Sequence, residues 1–511
     1  DARRPHGDRL LLRLARDLHL TMTSRQLGRL AAHVMLLASL AGCLPTGGPD
    51  EGWPSVTEPP PTSAATPLPI RTAFPAGQIF DYPAQSGDTL PAIAAHFNTT
   101  VEEILAANPE LPAGATTMPA GFPIHVPAYY VPLTGSAFHI LPDSEVVNGP
   151  SAVDFDIQVE VESRPGFLSG LSDYAFRRMR PAWEVIQVVA RNYSIHPRLL
   201  LTLLEHQTQA LTKPYPDGDE ATYPLAYRNP RYRGLYRQLI WAAERLSDGY
   251  YGWRMGTLRE FELADGLLVR PDPWLNAGTV GLQMLFAGIY GQPEYDAWVN
   301  PGGFYQTYLQ LWGDPFARAI DLVPANLQQP ELQLPFLPGR IWDFTAGPHY
   351  SWGTALPFGA LDFAPPSEEA GCVESGEWVA APAAGVVVRS GEAAVVLDLD
   401  GDGDERTGWV LFFFHMASVD RIAQGVSVQI GDRLGHPSCE GGQATGTHVH
   451  VARRYNGEWI PAGGALPFVL GGWVTAYGAE PYLGTLARGS RVVPACTCSS
   501  AENRILYEFP Q

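Results

Sequence analysis

The C-terminal third of the chain carries the pattern that most restricts the fold. After "PFLPGR", short apolar runs such as "GVVVRSG", "AAVVLDLD" and "WVLFFFHM" alternate with glycine and aspartate turns. Runs of this kind are typical of antiparallel strands that pack one face on a core. We therefore predict a mainly antiparallel, all-β domain over residues 335–511.

The run "TGTHVHVARR" in this domain places His448 and His450 two residues apart. On a strand, such residues project from the same face, about 7 Å apart. A catalytic zinc ion needs about three protein ligands and one open position, so a further histidine and a carboxylate should lie nearby. The stretch "GPHYSWGTALPFGALDFAPP" supplies both, as His349 and Asp362.

A fourth histidine, His415, ends the run "WVLFFFHM". Strand alternation predicts that His415 shares a face with Leu411 and Phe413.

Together these residues resemble the site of the zinc metallopeptidases of the lysostaphin and beta-lytic family, LytM-like enzymes with a duplicated-hybrid-motif β fold. In order, the chain shows a histidine, "ALDFAPP", a strand ending in "HM" and "GDRLGHPSCEGGQATGTHVHV", over roughly residues 342–482. The resemblance implies one Zn2+ per chain, bound by His349, Asp362 and His450. It implies that His415 and His448 are catalytic, with His448 as general base and His415 stabilising the oxyanion, although sequence leaves the two roles interchangeable.

The spacing of the first histidine points to one branch of that family. His349 precedes Asp362 by thirteen residues, whereas the commoner branch has its first histidine at the position of Phe358. The longer loop and "CEGGQATGTHVH" resemble the beta-lytic and staphylolytic branch, whose members cleave peptides of bacterial cell walls.

The acidic run "LDLDGDGDERTG", with Asp398, Asp400, Asp402 and Asp404, raises the question of a Ca2+ site. Counted from Asp400, the twelfth position is Leu411, where an EF-hand loop needs a bidentate glutamate. The run therefore favours an acidic hairpin loop over a Ca2+ site at residues 398–404.

Residues 171–330 have helical periodicity, as in "HPRLLLTLLEHQTQAL" and "YRGLYRQLIWAAERL", and predict an all-α middle domain after an irregular connector at 129–170. "SIHPRLLLTLLEHQ" weakly resembles the start of a lysozyme-like domain, which would make Glu205 a second catalytic acid. His206 and the order of Gln283 and Met284 depart from that pattern, which favours a structural or wall-binding domain.

Residues 79–128 predict a small α+β domain of the order βααβ. Asp88 or Thr89 caps a first helix and Thr100 caps a second, with short extended segments at both ends. "SGDTL", "TTVEEILAANP" and "IHVP" resemble a LysM module, which implies binding of N-acetylglucosamine-containing glycan in a shallow groove. The residues implied in the groove are Gly87, Asp88, Thr89, Leu90, Asn108 and Pro109.

Residues 1–43 predict a signal region. A basic segment precedes the apolar run Ala31 to Leu40, which is too short to span a bilayer. "LAGC", ending at Cys43, resembles a lipobox and implies lipidation of Cys43, with a plain cleaved signal peptide as the alternative. Met22 is the expected start, and residues 44–78, rich in Pro, Thr and Ser, predict a disordered linker.

The remaining cysteines form an even set, and an exported protein meets conditions in which disulfides persist. One arrangement pairs Cys372 with Cys439, which would brace the loop before His448. It leaves Cys496 and Cys498 to each other or to alternative pairings.

These features predict a lipid-anchored, extracytoplasmic cell-wall hydrolase, a zinc endopeptidase of peptidoglycan peptides that LysM directs to glycan. The alternatives are a non-enzymatic wall-binding regulator and a glycan-cleaving enzyme that uses Glu205. The formal net charge of −19, without a basic run beyond the first forty residues, excludes nucleic acid as a partner.

Overall fold

The computed structural model describes residues 73–112, 114–131 and 135–508, which all belong to one compact unit. The predicted signal region, the lipobox at Cys43 and most of the predicted linker lie outside the described residues. None of the helices described is long and apolar enough to cross a membrane.

The LysM-like domain has the predicted βααβ order. Its elements are β1 (Gln78–Pro83), α1 (Leu90–His96), α2 (Val101–Ala107) and β2 (Pro123–Ala128), and β1 pairs antiparallel with β2. Thr89 and Thr100 are the two helix caps, because their hydroxyls accept hydrogen bonds from Ala92 N and Glu103 N. The prediction for this domain is confirmed.

The middle domain is mainly helical. Its helices are α3 (Ile157–Glu162), α4 (Ala182–Tyr193), α5 (Pro197–Thr208), α6 (Leu235–Arg254), α7 (Ala277–Ala287), α8 (Gln292–Val299) and α9 (Phe304–Trp312). Two short hairpins interrupt them: β3 (Ser172–Ala175) with β4 (Arg178–Pro181), and β5 (Phe261–Glu262) with β6 (Leu268–Val269). Helices α6 and α7 pack closely, because a Cβ added at Gly249 would lie 2.8 Å from the Cα of Gly281.

The structure differs from the predicted connector at 129–170. Single helical turns form at Asp143–Glu145 and Pro150–Ala152, and α3 lies within this range. Ile140, Leu141 and Val146 are buried in the core of the helical domain. Turns this short carry no helical periodicity, so the pattern hides the part of the domain that precedes residue 171.

The C-terminal domain consists of strands. They are β7 (Ile341–Trp352), β8 (Ala355–Ala364), β9 (Val379–Ala380), β10 (Gly385–Gly391), β11 (Ala394–Asp398), β12 (Trp409–Phe414), β13 (Ser427–Val428), β14 (Arg433–Gly435), β15 (Val449–Tyr455), β16 (Glu458–Trp459), β17 (Val469–Leu470), β18 (Trp473–Tyr477), β19 (Gly484–Arg488), β20 (Arg491–Pro494) and β21 (Arg504–Leu506). The main antiparallel sheet has the order β13-β10-β11-β12-β15-β8-β7-β21, with β16 paired to β15. A second sheet follows the order β17-β18-β19-β20, and β9 pairs with β14. The prediction of a mainly antiparallel β domain is confirmed.

The acidic run forms the loop between β11 and β12. One carboxylate oxygen each from Asp398, Asp400 and Asp402 lies within 4.8 Å of the others. The buried Asp398 also accepts hydrogen bonds from Asp400 N and Gly403 N, so its carboxylate holds the loop backbone. The geometry agrees with a hairpin loop, and we propose no Ca2+ site there.

Candidate metal centre and active-site cleft

Strand pairing brings three of the predicted residues together. His450 lies directly opposite Asp362 across β15 and β8, so the two side chains share a face. His349, on β7, reaches the same point from the other side of β8. His349 Nε2 lies 3.0 Å from His450 Nδ1 and 3.2 Å from Asp362 Oδ1. His450 Nδ1 lies 3.4 Å from the same Asp362 oxygen.

Backbone carbonyls define the tautomers of both histidines. A carbonyl only accepts, so His349 Nδ1–H donates to Gly347 O at 2.9 Å and His450 Nε2–H donates to Ser351 O at 3.1 Å. The two ring nitrogens that face each other therefore carry lone pairs when the rings are neutral. Asp362 Oδ1 is buried and has no hydrogen-bond partner among the described residues.

Three lone-pair atoms at these separations are stabilised by a cation between them. Tetrahedral zinc with bonds of about 2.0–2.1 Å places neighbouring ligand atoms about 3.4 Å apart, close to the distances seen here. Carbonyl acceptors on the distal ring nitrogens are the usual support for zinc-binding histidines. The residues present therefore fit a zinc ion.

His349 reaches this position through irregular pairing of β7 with β8. The register shifts between Ala346 and His349 and again between His349 and Tyr350. Such bulges redirect side chains and often lie beside active sites. Gly347 permits the local packing, because a Cβ there would lie 2.6 Å from Leu483 O.

The other two histidines lie beside this trio. His448 Nε2 is 3.5 Å from Asp362 Oδ2, and the His415 and His448 rings are 4.5 Å apart. His448 Nδ1 donates to Gly446 O and His415 Nδ1 donates to Glu440 O, both at 2.8 Å. In the neutral rings, each Nε2 is therefore an acceptor.

The prediction that His415 shares a face with Leu411 and Phe413 is wrong. Those two side chains are buried in the core on the opposite face of the sheet. His415 follows the last residue of β12 and has a left-handed backbone with φ of 60°. This turn ends the strand alternation and brings the ring against Phe414, 4.4 Å away, and His448.

The five residues line a cleft with a volume of about 1910 Å³. Its walls include Phe176, Tyr193 and Tyr236 from the helical domain, which sequence reasoning missed. Helix α6 also holds the tip of the β7–β8 hairpin, since Thr354 Oγ1 donates to Glu244 at 2.9 Å. No local signal marks these contacts, because they join residues far apart in the chain.

Comparisons with known proteins identify the N-terminal and middle domains. The LysM domain family matches residues 82–127, and the family described as "LasA, N-terminal domain" matches residues 139–326. Protease LasA of Pseudomonas aeruginosa is 26% identical over 316 residues, which cover 56% of this chain and 69% of LasA. The beta-lytic metalloendopeptidase of Lysobacter enzymogenes is 27% identical over 157 residues, which cover 29% of this chain and 82% of that protein.

The chain is homologous to LasA and to the beta-lytic metallopeptidases. The beta-lytic metalloendopeptidase of Achromobacter lyticus is 28% identical over 29% of this chain and 39% of that protein. Among solved structures, the M23 metalloprotease pseudoalterin is 24% identical, with a TM-score of 0.28, and covers 33% of this chain and 96% of that chain. The catalytic domain of lysostaphin from Staphylococcus simulans is 18% identical, with a TM-score of 0.18, and covers 24% of this chain and 87% of that chain.

In this LasA homologue, disulfides join Cys372 to Cys439 and Cys496 to Cys498. The first pair connects two loops that line the cleft. Thr447 reinforces the connection, because its N–H donates to Gly371 O at 3.1 Å, beside Cys372. The arrangement in which Cys372 pairs with Cys439 agrees with the structure.

Removing this first bridge is expected to destabilise the peptidase domain. Cys372 and Cys439 are 67 residues apart, and closing a loop of this size is worth about 2–4 kcal/mol of unfolding free energy. We expect the double substitution Cys372→Ser and Cys439→Ser to lower the free energy of unfolding by this amount, which is measured as a lower urea midpoint. An unchanged midpoint would show that the bridge does not stabilise the domain.

Glu205 has a structural role in the LasA-like helical domain. It lies near the end of α5, and its carboxylate accepts hydrogen bonds from Leu211 N at 2.8 Å and Thr212 Oγ1 at 2.5 Å. These bonds secure the turn that follows the helix. The geometry therefore favours the structural interpretation of Glu205 over the catalytic one.

Three of the residues predicted to line the LysM groove are buried within the domain. Asp88 accepts hydrogen bonds from Tyr82 OH at 2.7 Å and Gln85 N at 2.8 Å. Asn108 donates from its amide to two backbone carbonyls at 2.7 Å each, and Leu90 belongs to the core. These three side chains hold the loops in shape from inside.

The other three groove residues differ from one another. Thr89 is a helix cap and Pro109 is exposed. Gly87 faces the helical domain, since a Cβ at this position would lie 2.8 Å from the guanidinium carbon of Arg254. The glycan groove as predicted is therefore partly covered by the chain itself.

Proposed function

We propose that this chain is a zinc-dependent endopeptidase that cleaves peptide bonds of peptidoglycan and that its LysM domain directs it to glycan. The observation that carries the proposal is the convergence of His349 Nε2, His450 Nδ1 and the buried Asp362 Oδ1 within 3.0–3.4 Å of one another, with two further histidines beside them in an open cleft. Homology to LasA and the beta-lytic enzymes supports a peptidase of the cell wall.

His349, Asp362 and His450 would hold the zinc ion. When bound, zinc supplies a water of lowered pKa and polarises the scissile carbonyl. We assign the general base to His448, whose Nε2 accepts the proton from the attacking water. Asp362 Oδ2, 3.5 Å away, stabilises the imidazolium that results. The same proton then passes to the leaving amine.

For His415 we propose a role other than the expected one of donor to the oxyanion. Burial lowers the pKa of His415 to about 4, so the ring is neutral at pH 7. Its Nδ1–H is bound to Glu440 O, which leaves an acceptor at Nε2. In this tautomer, His415 orients the attacking water by accepting a hydrogen bond, and it stabilises an oxyanion only after it takes up a proton.

For the export and anchoring of the chain, we propose lipidation at Cys43 and an extracytoplasmic location. Support comes from the resemblance of "LAGC" to a lipobox and from the LysM domain. A lipid anchor and a glycan-binding module together raise the concentration of the peptidase at its substrate.

Digestion of purified sacculi by the full chain tests this function. We expect new amino termini by mass spectrometry, loss of the products with chelator, and recovery after zinc is restored. The variant Glu205→Gln is the matched control and should release the same peptides. Intact sacculi in the untreated arm would refute the peptidase, and new reducing sugar ends that Glu205→Gln abolishes would favour a glycosidase.

Loss of the general base should separate proton transfer from metal binding. We expect His448→Ala to lower kcat by about 10²–10⁴-fold, the usual contribution of general base catalysis, while the purified protein keeps one zinc per chain. Zinc content by atomic emission and kcat on a wall peptide measure the two effects. Loss of the zinc together with activity would instead make His448 a ligand.

A further inference from the structure

Two loops of the LysM domain hold a segment of the same chain. The first loop, residues 84–89, follows β1, and the second, residues 114–122, precedes β2. The loops lie side by side, because Met118 N donates to Asp88 O at 2.8 Å and Gly121 N donates to Ala84 O at 2.7 Å. The segment Leu322–Leu327, which we call the strap, contacts both loops.

On the first loop, Ser86 bonds both backbone groups of one strap residue. Its hydroxyl donates to Val323 O at 3.0 Å and accepts from Val323 N at 2.9 Å. A single hydroxyl thus pairs with both the N–H and the C=O of the strap at this position.

On the second loop, Thr117 makes three hydrogen bonds to the strap. Its hydroxyl donates to Pro324 O at 2.7 Å and accepts from Leu327 N at 2.9 Å. Its carbonyl accepts from Asn326 N at 2.9 Å. Thr116 adds a bond from its hydroxyl to Leu327 O at 2.7 Å. We call Ser86, Thr116 and Thr117 the inter-loop site.

The inter-loop site recognises backbone amides and no strap side chain. The apolar side chains of Val323 and Leu327 are buried in the core of the helical domain, while Pro324, Ala325 and Asn326 are exposed. All six hydrogen bonds to the inter-loop site come from strap N–H and C=O groups. A ligand that presents the same donor and acceptor pair would satisfy the same three residues.

We propose that the inter-loop site is a binding site for amide-bearing chains and that N-acetylated glycan and the strap compete for it. An acetamido group carries an N–H and a C=O like those that the strap now offers. The inference rests on the proposed glycan binding by LysM and adds that the strap must leave first. The full-length protein therefore binds glycan more weakly than the open site does. Its apparent association constant is that of the open site multiplied by the fraction of molecules in which the strap is released.

The segment that follows the strap contacts the peptidase domain. Two residues beyond the strap, Gln329 donates to Val469 O at 2.7 Å and accepts from the guanidinium of Arg453. Arg453 is buried on β15, three residues after the metal-site residue His450. Gln329 and the buried Arg453 thus connect the strap to β15, the strand that carries His450.

The LysM domain keeps a second contact when the strap leaves. His96 stacks on Trp253 of α6 with ring centroids 3.6 Å apart, and its Nε2 lies 3.0 Å from the Trp253 carbonyl oxygen. This contact does not involve the strap, so we expect the domain to stay docked when the strap is displaced.

Two substitutions at one strap position test the competition. Asn326 has a left-handed φ of 50°, which glycine adopts and proline does not. Asn326→Pro also removes the N–H that bonds Thr117, whereas the matched control Asn326→Gly keeps it. We expect Asn326→Pro to bind a hexamer of β-1,4-linked N-acetylglucosamine about tenfold or more tightly than wild type, measured by calorimetry on the full chain, and Asn326→Gly to match wild type.

Amide hydrogen exchange on the wild-type chain gives a second measurement that needs no variant. Saturating hexamer should accelerate exchange at Val323, Asn326 and Leu327, whose N–H groups the inter-loop site now holds. Glycan binding that leaves this exchange unchanged, with equal affinity in both variants, would overturn the competition and leave LysM as a glycan module. Failure of all three proteins to bind hexamer would overturn glycan binding itself, and the competition with it.

Discussion

Replacing Asp362 with alanine is expected to lower kcat/KM on a wall peptide by about a thousandfold or more and to reduce bound zinc well below one per chain. A thousandfold loss corresponds to about 4 kcal/mol of transition-state stabilisation, within the several kcal/mol that a metal ion supplies at a polarised carbonyl. Asp362 is the ligand with the largest expected effect because its Oδ1 lies 3.2 Å from His349 Nε2 and 3.4 Å from His450 Nδ1. It also supplies the only carboxylate of the trio.

Asp432→Ala is the matched control for that measurement. Asp432 is an exposed turn residue of the same domain, where its carboxylate accepts a hydrogen bond from Gln429 N at 2.7 Å. We expect this variant to keep wild-type activity and zinc content. Wild-type activity in Asp362→Ala would refute the metal centre, while equal losses in both variants would point to general unfolding.

Sequence reasoning located the candidate site because its residues lie in short motifs with strand alternation. His448 and His450 follow the two-residue period, and pairing of β15 with β8 then places His450 opposite Asp362. Strand alternation does not predict the position of His415, because this residue follows the strand and has a left-handed backbone. Nor does alternation predict the position of His349, which depends on register shifts in the pairing of β7 with β8.

The domain order was predictable because each domain has its own hydrophobic period. Contacts between domains were not, since they depend on residues separated by long stretches of chain. The strap shows this clearly: Ser86 and Val323 are 237 residues apart, and nothing in "SGDTL" or "LVPANL" marks their pairing. The aromatic residues that the helical domain contributes to the cleft, such as Phe176, escaped prediction for the same reason.

Arg254 joins all three domains, and its removal is expected to cause the largest loss of stability among the substitutions considered. The side chain is buried at the end of α6. Its Nη2 lies 2.9 Å from Asp143 Oδ2, its Nε lies 3.0 Å from Glu458 Oε1 on β16, and its Nη1 donates to Ser86 O in the LysM domain. Arg254→Ala leaves the carboxylates of Asp143 and Glu458 largely buried without their cation, at a cost of about 3–5 kcal/mol.

Urea unfolding of the full chain measures this loss of stability. The control is Arg259→Ala, because Arg259 is an exposed arginine in the loop after α6. We expect this variant to change the free energy of unfolding by less than about 0.5 kcal/mol.

A double-mutant cycle tests the cause of the loss. If the loss of stability comes from the unpaired carboxylate, Glu458→Gln should recover part of that loss in the Arg254→Ala background, because the substitution removes the buried charge that Arg254 no longer neutralises. In the wild-type background, the same substitution should destabilise the protein. Strictly additive effects of the two substitutions would instead show that Arg254 stabilises the domain junction by packing alone.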